Sequence, residues 1–91
     1  MIRSCKNSET EKVLAGFTVR KFQAVQDRAE VRLAELNAAT NLQDLSIPSM
    51  RLKKLDGDRK GQYSIRINDQ YRICFDWRDG DAYNVEIVDY H

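Results

Sequence analysis

The sequence closes on Asp89-Tyr90-His91, an acid, a phenol and the chain's only imidazole in succession. Each can move a proton, and an imidazole ordinarily titrates at about pH 6.5, so His91 can take or give one near neutrality. Proton transfer alone does not make a site; something must also hold a substrate and stabilise the charge that builds on it. The candidates lie upstream: Arg51, Lys53 and Lys54 in Met50-Arg51-Leu52-Lys53-Lys54-Leu55, and Arg66 and Arg72 in the extended region that follows.

Those residues are positioned by strands. Tyr63, Ile65 and Ile67 alternate in one run, Tyr71, Ile73, Phe75 and Trp77 in the next, and Tyr83, Val85 and Ile87 in the last. A period of two marks half-buried strands, and all of these side chains are expected to face one core. Keeping them on one face pairs Ile67 with Tyr71 across Asn68-Asp69-Gln70, and Trp77 with Asp81 across Arg78-Asp79-Gly80. The second loop puts Gly80 where a three-residue hairpin wants a left-handed residue. This register sets Arg66 opposite Arg72 on the non-core face, Arg72 opposite Glu86, and Tyr90 on the same face beyond Val88. Like charges directly opposed destabilise a sheet unless an anion lies between or above them. Glu86 supplies part of that charge and an RNA phosphate could supply the rest. On spacing alone the plainer alternative stays open: two guanidiniums splayed into water with Glu86 as a surface partner.

The remaining elements are helical. Asn7 or Ser8 before Glu9-Thr10-Glu11 reads as a helix start with acids at its positive end, and Gly16 closes it. From Arg20 a stronger helix places Phe22, Val25, Ala29, Leu33 and Leu36 on one face. Its other face carries Lys21, Asp27, Arg28, Glu30, Arg32 and Glu35, mixed charges expected to form a solvated surface. Thr40 to Leu45 adds a helical turn, and Pro48 breaks the pattern. Met1 to Cys5 can form a short strand, and Asp56-Gly57-Asp58-Arg59-Lys60-Gly61 a turn.

Composition bounds the reading. Ninety-one residues suit a single domain, 1–91, and a net charge of +1 gives no bulk argument for a polyanionic partner, so charge placement must carry it. Cys5 and Cys74 lie far apart, and no charged-then-apolar leader opens the chain; a disulfide scaffold and secretion are not expected, and the cytoplasm is the default. No apolar run reaches the roughly 20 residues of a membrane span. Cys5, Cys74 and His91 lack metal-ligand spacing, so no metal or other cofactor is expected. Cys74 reads as a small half-buried filler sooner than as a nucleophile, and there is no glycine-rich phosphate loop.

One chemistry uses the whole set. RNA cleaved by its own 2′-hydroxyl needs a base for that proton, cations on the phosphate, an acid for the leaving 5′-oxygen, and no metal. Arg66, Arg72 and the lysines near 53 can bind the phosphate while His91 moves a proton. The second proton-transfer group falls to Tyr90, Asp89 or a lysine.

The run from Leu55 to Phe75, above all Ser64-Ile65-Arg66-Ile67-Asn68-Asp69-Gln70-Tyr71-Arg72, together with the closing Asp89-Tyr90-His91, resembles the HigB branch of the RelE/ParE toxin superfamily. The resemblance covers essentially the whole chain. It implies an α+β fold with two N-terminal helices packed on a mainly antiparallel, twisted sheet. It implies a type II toxin acting as a ribosome-dependent mRNA endoribonuclease, with Asp89, Tyr90, His91 and Arg72 at the functional positions. The implied partners are the ribosome, mRNA and a helix-turn-helix, HigA-like antitoxin, with operator DNA contacted through the antitoxin complex. Some members carry a second histidine in the basic strand, where this chain has Lys53 beside Lys54. Relatives on the same scaffold poison DNA gyrase without cutting RNA, and a non-catalytic ribosome or RNA-binding module would use the same cations.

Overall fold

The computed structural model describes residues 1–90; His91, expected above to be a proton-transfer group, lies outside the described residues. Two α-helices, α1 (Ser8–Leu14) and α2 (Gln26–Ala38), precede a sheet of β1 (Lys53–Lys54), β2 (Tyr63–Arg66), β3 (Tyr71–Arg78) and β4 (Asp81–Asp89). The strands run in the order β1-β2-β3-β4, each antiparallel to the next. The α+β expectation holds. The Met1–Cys5 strand reduces to single parallel bridges of Ile2 to Ala82 and Cys5 to Val85 on the outer edge of β4.

Local chemistry sets the helix bounds. The Asn7 side chain accepts from the Thr10 amide, capping α1, and Gly16 follows it with φ +91. The expected single helix from Arg20 is two pieces, a 3-10 segment Arg20–Val25 and then α2. Gln26 marks the join: its amide donates to the Phe17 carbonyl and accepts from the Val19 amide, holding the preceding loop against the new helix. The apolar spacing is unaffected by the break. Phe22, Val25, Ala29, Leu33 and Leu36 are all buried and meet Ile65, Ile67, Tyr71, Ile73, Phe75, Val85 and Ile87 from the sheet. Phe22 packs edge-on to Tyr71 at 5.6 Å between centroids.

The hairpins differ in how well the sequence set them. Ile67 faces Tyr71 as expected: its amide donates to the Tyr71 carbonyl at 3.0 Å, and Arg66 stands opposite Arg72. Asn68 closes that turn, its side-chain oxygen accepting from the Gln70 and Tyr71 amides. The second hairpin is tighter than expected. Arg78 pairs with Asp81 across a two-residue Asp79-Gly80 turn with φ +50 and +81, the left-handed pair such a turn requires. Asn84 (φ +52) then forms a bulge in β4. The two one-residue shifts cancel in parity but not in position. Glu86 therefore stands opposite Cys74, not Arg72, while Val88 takes the place opposite Arg72. Between turn and bulge the parity is inverted, so Ala82 is buried and Tyr83 lies on the outer face, stacked under the Arg78 guanidinium at 4.2 Å.

Among the described residues no helix is long and apolar enough to cross a membrane.

Candidate active site

The outer face of the sheet carries the cations. Its rows, read across strands, are Arg66, Arg72 and Val88, then Ser64, Cys74 and Glu86, with Lys53 beside Ser64. Arg72 is the fixed point. Its Nε donates to Ser64 Oγ at 2.8 Å and its Nη2 to the Arg51 carbonyl at 2.6 Å. Ser64 is fully buried, so that hydroxyl cannot turn to water instead. Arg51 itself adopts a left-handed conformation, φ +46 and ψ +52, after the 3-10 turn Pro48–Met50. That is unfavourable for a residue with a side chain by about 1 kcal/mol, and it aims the carbonyl at the guanidinium.

Neutral oxygens thus orient Arg72 without cancelling its charge. Among the described residues it belongs to no ion pair. Burial pulls its pKa below the ordinary arginine value, the Cys74 and Tyr90 groups oppose that shift, and the positive charges of Arg66 and Arg51 add to it. A cation in that setting gains from an added anion. The Tyr90 ring lies 6.0 Å from Arg72 Cζ, and the Tyr90 amide donates to the Gln70 carbonyl at 2.6 Å, tying the strand end to the first turn.

The other expected residues divide. Arg66 stands beside Arg72 and is ion-paired through Nη2 with Asp69. Lys53 falls on the same face one row away, in no ion pair among the described residues. Lys54 pairs with Tyr63, the opposite parity, and is exposed at the sheet edge. Asp89 stands opposite Tyr71, on the parity opposite to Tyr90, and accepts from Gln70 Nε2 at 3.1 Å. Glu86, expected to partner Arg72, accepts from Arg59 at 3.1 Å and lies 3.7 Å from Lys6. The Asp79-Gly80 turn and the Asn84 bulge moved it along the strand. Cys74 is fully buried, not half-buried, and burial raises its thiol pKa. That keeps it a thiol at neutral pH. Among the described residues no group of His, Cys, Asp and Glu side chains is arranged to hold a metal ion.

Two supporting residues were not legible in advance. Ser64 carried no expectation of its own, though its outward parity beside Arg72 could have flagged it. Arg32, assigned above to a solvated surface, donates from Nε to the Arg66 carbonyl at 2.9 Å and from Nη2 to the Ser49 carbonyl at 3.1 Å, while Nη1 pairs with Glu35 at 3.0 Å. It joins α2 to both backbones that carry the arginine cluster. Helical spacing cannot reveal such a long-range bond.

Similar proteins point in one direction. A family model described as "HigB-like toxin: RelE-like toxin of type II toxin-antitoxin system HigB" matches residues 15–91. "Endoribonuclease HigB" of Proteus vulgaris is 38% identical over 65 residues, covering 71% of this chain and 71% of that protein. "Toxin HigB-1" of Vibrio cholerae is 48% identical over 54 residues, 58% of this chain and 57% of that protein. Among solved structures, two of the YoeB-YefM complex from Staphylococcus aureus superpose with TM-scores of 0.61 and 0.63. Each covers 100% of this chain and is itself covered to 98%, and at 17% and 18% identity the likeness is one of fold.

Proposed function

The chain belongs to the HigB-like family of RelE-like type II toxin–antitoxin toxins, and on that premise we propose that it is an endoribonuclease that cuts mRNA on the ribosome and so stops translation. The reading rests chiefly on Arg72, a guanidinium oriented by Ser64 Oγ and the Arg51 carbonyl with Tyr90 against it. A group so held is prepared to receive a phosphate oxygen in a fixed direction.

In the proposed reaction the RNA 2′-hydroxyl attacks its own 3′-phosphate. A base takes the 2′ proton, the P–O5′ bond breaks, and the departing 5′-oxygen is protonated. The products are a 2′,3′-cyclic phosphate and a 5′-hydroxyl, and the step is metal-independent. Arg72 stabilises the charge on the phosphoryl oxygens as it builds; Arg66, Lys53, Lys54 and Arg51 bind the surrounding phosphates. His91 and Tyr90 divide the proton transfers, with Asp89 supporting them at the strand end. A helix-turn-helix, HigA-like antitoxin neutralises the toxin in the cytoplasm, and operator DNA is contacted through that complex.

The test is to map RNA ends after adding the protein to a defined mRNA with and without translating ribosomes. The expected result is cuts inside the translated frame, only with ribosomes, bearing 5′-hydroxyl and 2′,3′-cyclic phosphate ends. Fragments with 5′-phosphate ends would overturn 2′-hydroxyl attack. Intact mRNA would overturn the nuclease reading, and gyrase-linked DNA breaks in cells expressing the protein would then replace it with inhibition of that enzyme.

A further inference from the structure

A second cationic feature adjoins the arginine pair. Between α2, the Pro48–Met50 turn and the end of β2 lies an open groove of about 680 Å³. Arg28, Arg32, Arg51 and Arg66 line it together with the carboxylates Asp27 and Glu35, so arginines outnumber acids four to two, and Val31 and Pro48 form an apolar wall. The four arginines are not equivalent. Arg32 is engaged with two carbonyls and Glu35, and Arg66 with Asp69. Arg28 and Arg51 are exposed and enter no ion pair among the described residues. Val31 is 58% exposed, a large aliphatic on an otherwise polar helix face.

Guanidiniums beside an apolar wall suit a ligand that is anionic at one end and flat and weakly polar at the other. The groove volume falls in the range of small-ligand clefts, which run from about 300 to 1,000 Å³. Position narrows the choice further. Arg66 belongs to both the groove and the Arg72 row, and Arg51 lines the groove while its carbonyl holds Arg72. A strand with one phosphate on Arg72 can therefore continue past Arg66 into the groove, where Arg28 and Arg51 are the cations in no ion pair among the described residues.

We propose that this groove is a subsite for the single-stranded RNA nucleotide adjoining the scissile phosphate, taking its phosphate on Arg28 and Arg51 and its base against Val31 and Pro48. The proposal rests on the endoribonuclease reading and adds α2 to the substrate-binding surface. An acidic peptide would also satisfy the cations, but it gives no reason for the groove to open onto the Arg72 row.

Arg28→Gln and Val31→Asn change exposed positions and should leave folding intact, which melting curves verify. Single-turnover cutting of mRNA on ribosomes is measured against toxin concentration. For Arg28→Gln the half-saturating concentration should rise about tenfold, the worth of one charge-assisted contact, with the saturated rate within about twofold. Arg28→Lys should recover part of that loss, and Val31→Asn should redistribute cuts among sites differing in the flanking base. Variants matching wild type in half-saturation, rate and cut-site distribution overturn the subsite alone. Unchanged cutting with weakened antitoxin binding overturns it in favour of a peptide groove. Wild-type protein that cuts no mRNA overturns the endoribonuclease reading and the subsite with it.

Discussion

At the scale of single residues the site is organised by what holds Arg72. A guanidinium on a strand is ordinarily free to sample rotamers, and fixing it costs entropy that its hydrogen bonds must offset. Here a buried serine hydroxyl and a left-handed Arg51 carbonyl supply those bonds. Ser64→Ala should therefore lower stability by about 1 to 3 kcal/mol, because a charged donor loses its buried acceptor. Chemical denaturation reads that loss. The same variant should lower the saturated rate of mRNA cutting about tenfold while ribosome binding is retained, since Arg72 remains present but less well aimed. A stability loss with an unchanged cutting rate would make Ser64 purely structural. The sequence showed Arg66 facing Arg72 because both sit close to a short turn, where a register error has little room to accumulate. It did not show Ser64 as the anchor, since a serine of outward parity has the same pattern whether it meets water or a guanidinium.

At the scale of elements, register decides which side chains meet, and the two turns account for both the success and the error. Three residues between Ile67 and Tyr71 were read correctly, and Asn68 stabilises that turn by accepting two amides. Asp79-Gly80 satisfies a two-residue turn as readily as the last two positions of a three-residue loop, so composition could not separate them. The Asn84 bulge is likewise invisible to alternation counting: asparagine is one of few side chains that tolerate φ of +52, but nothing in the pattern requires it there. Because the bulge restores parity, Tyr90 still reaches the Arg72 face although Glu86 misses its expected partner. The joint between α1 and β4 rests on a comparable detail. The buried Thr10 hydroxyl accepts from the Ile87 amide at 3.1 Å. Thr10→Val keeps the shape and removes the acceptor, so the unfolding free energy should fall by about 1 to 3 kcal/mol. Hydrogen exchange at the Ile87 amide should quicken. An unchanged exchange rate would mean that another group holds that donor.

At the scale of the whole molecule, the net charge of +1 is a poor guide to the surface. Some acids are held by cations away from the site, as in Glu9 with Lys21 and Asp81 with Arg3. Arg28, Arg51 and Lys53 carry no such partner among the described residues, and their exposed side chains leave cationic surface around Arg72. Most of the core and the strand arginines were legible because they follow from periodicity, and the fold class followed from the family resemblance. The groove was not, because it joins α2 to a turn and a strand end that only tertiary packing brings together. If RNA is cut at the Arg72 cluster, single-turnover mRNA cutting by Arg72→Gln, measured beside ribosome binding by co-sedimentation, must show it. With folding verified by its melting curve, the variant should cut about 10²- to 10³-fold more slowly while binding ribosomes within about twofold of wild type. Cutting at the wild-type rate by the folded variant would mean that Arg72 takes no part in the reaction.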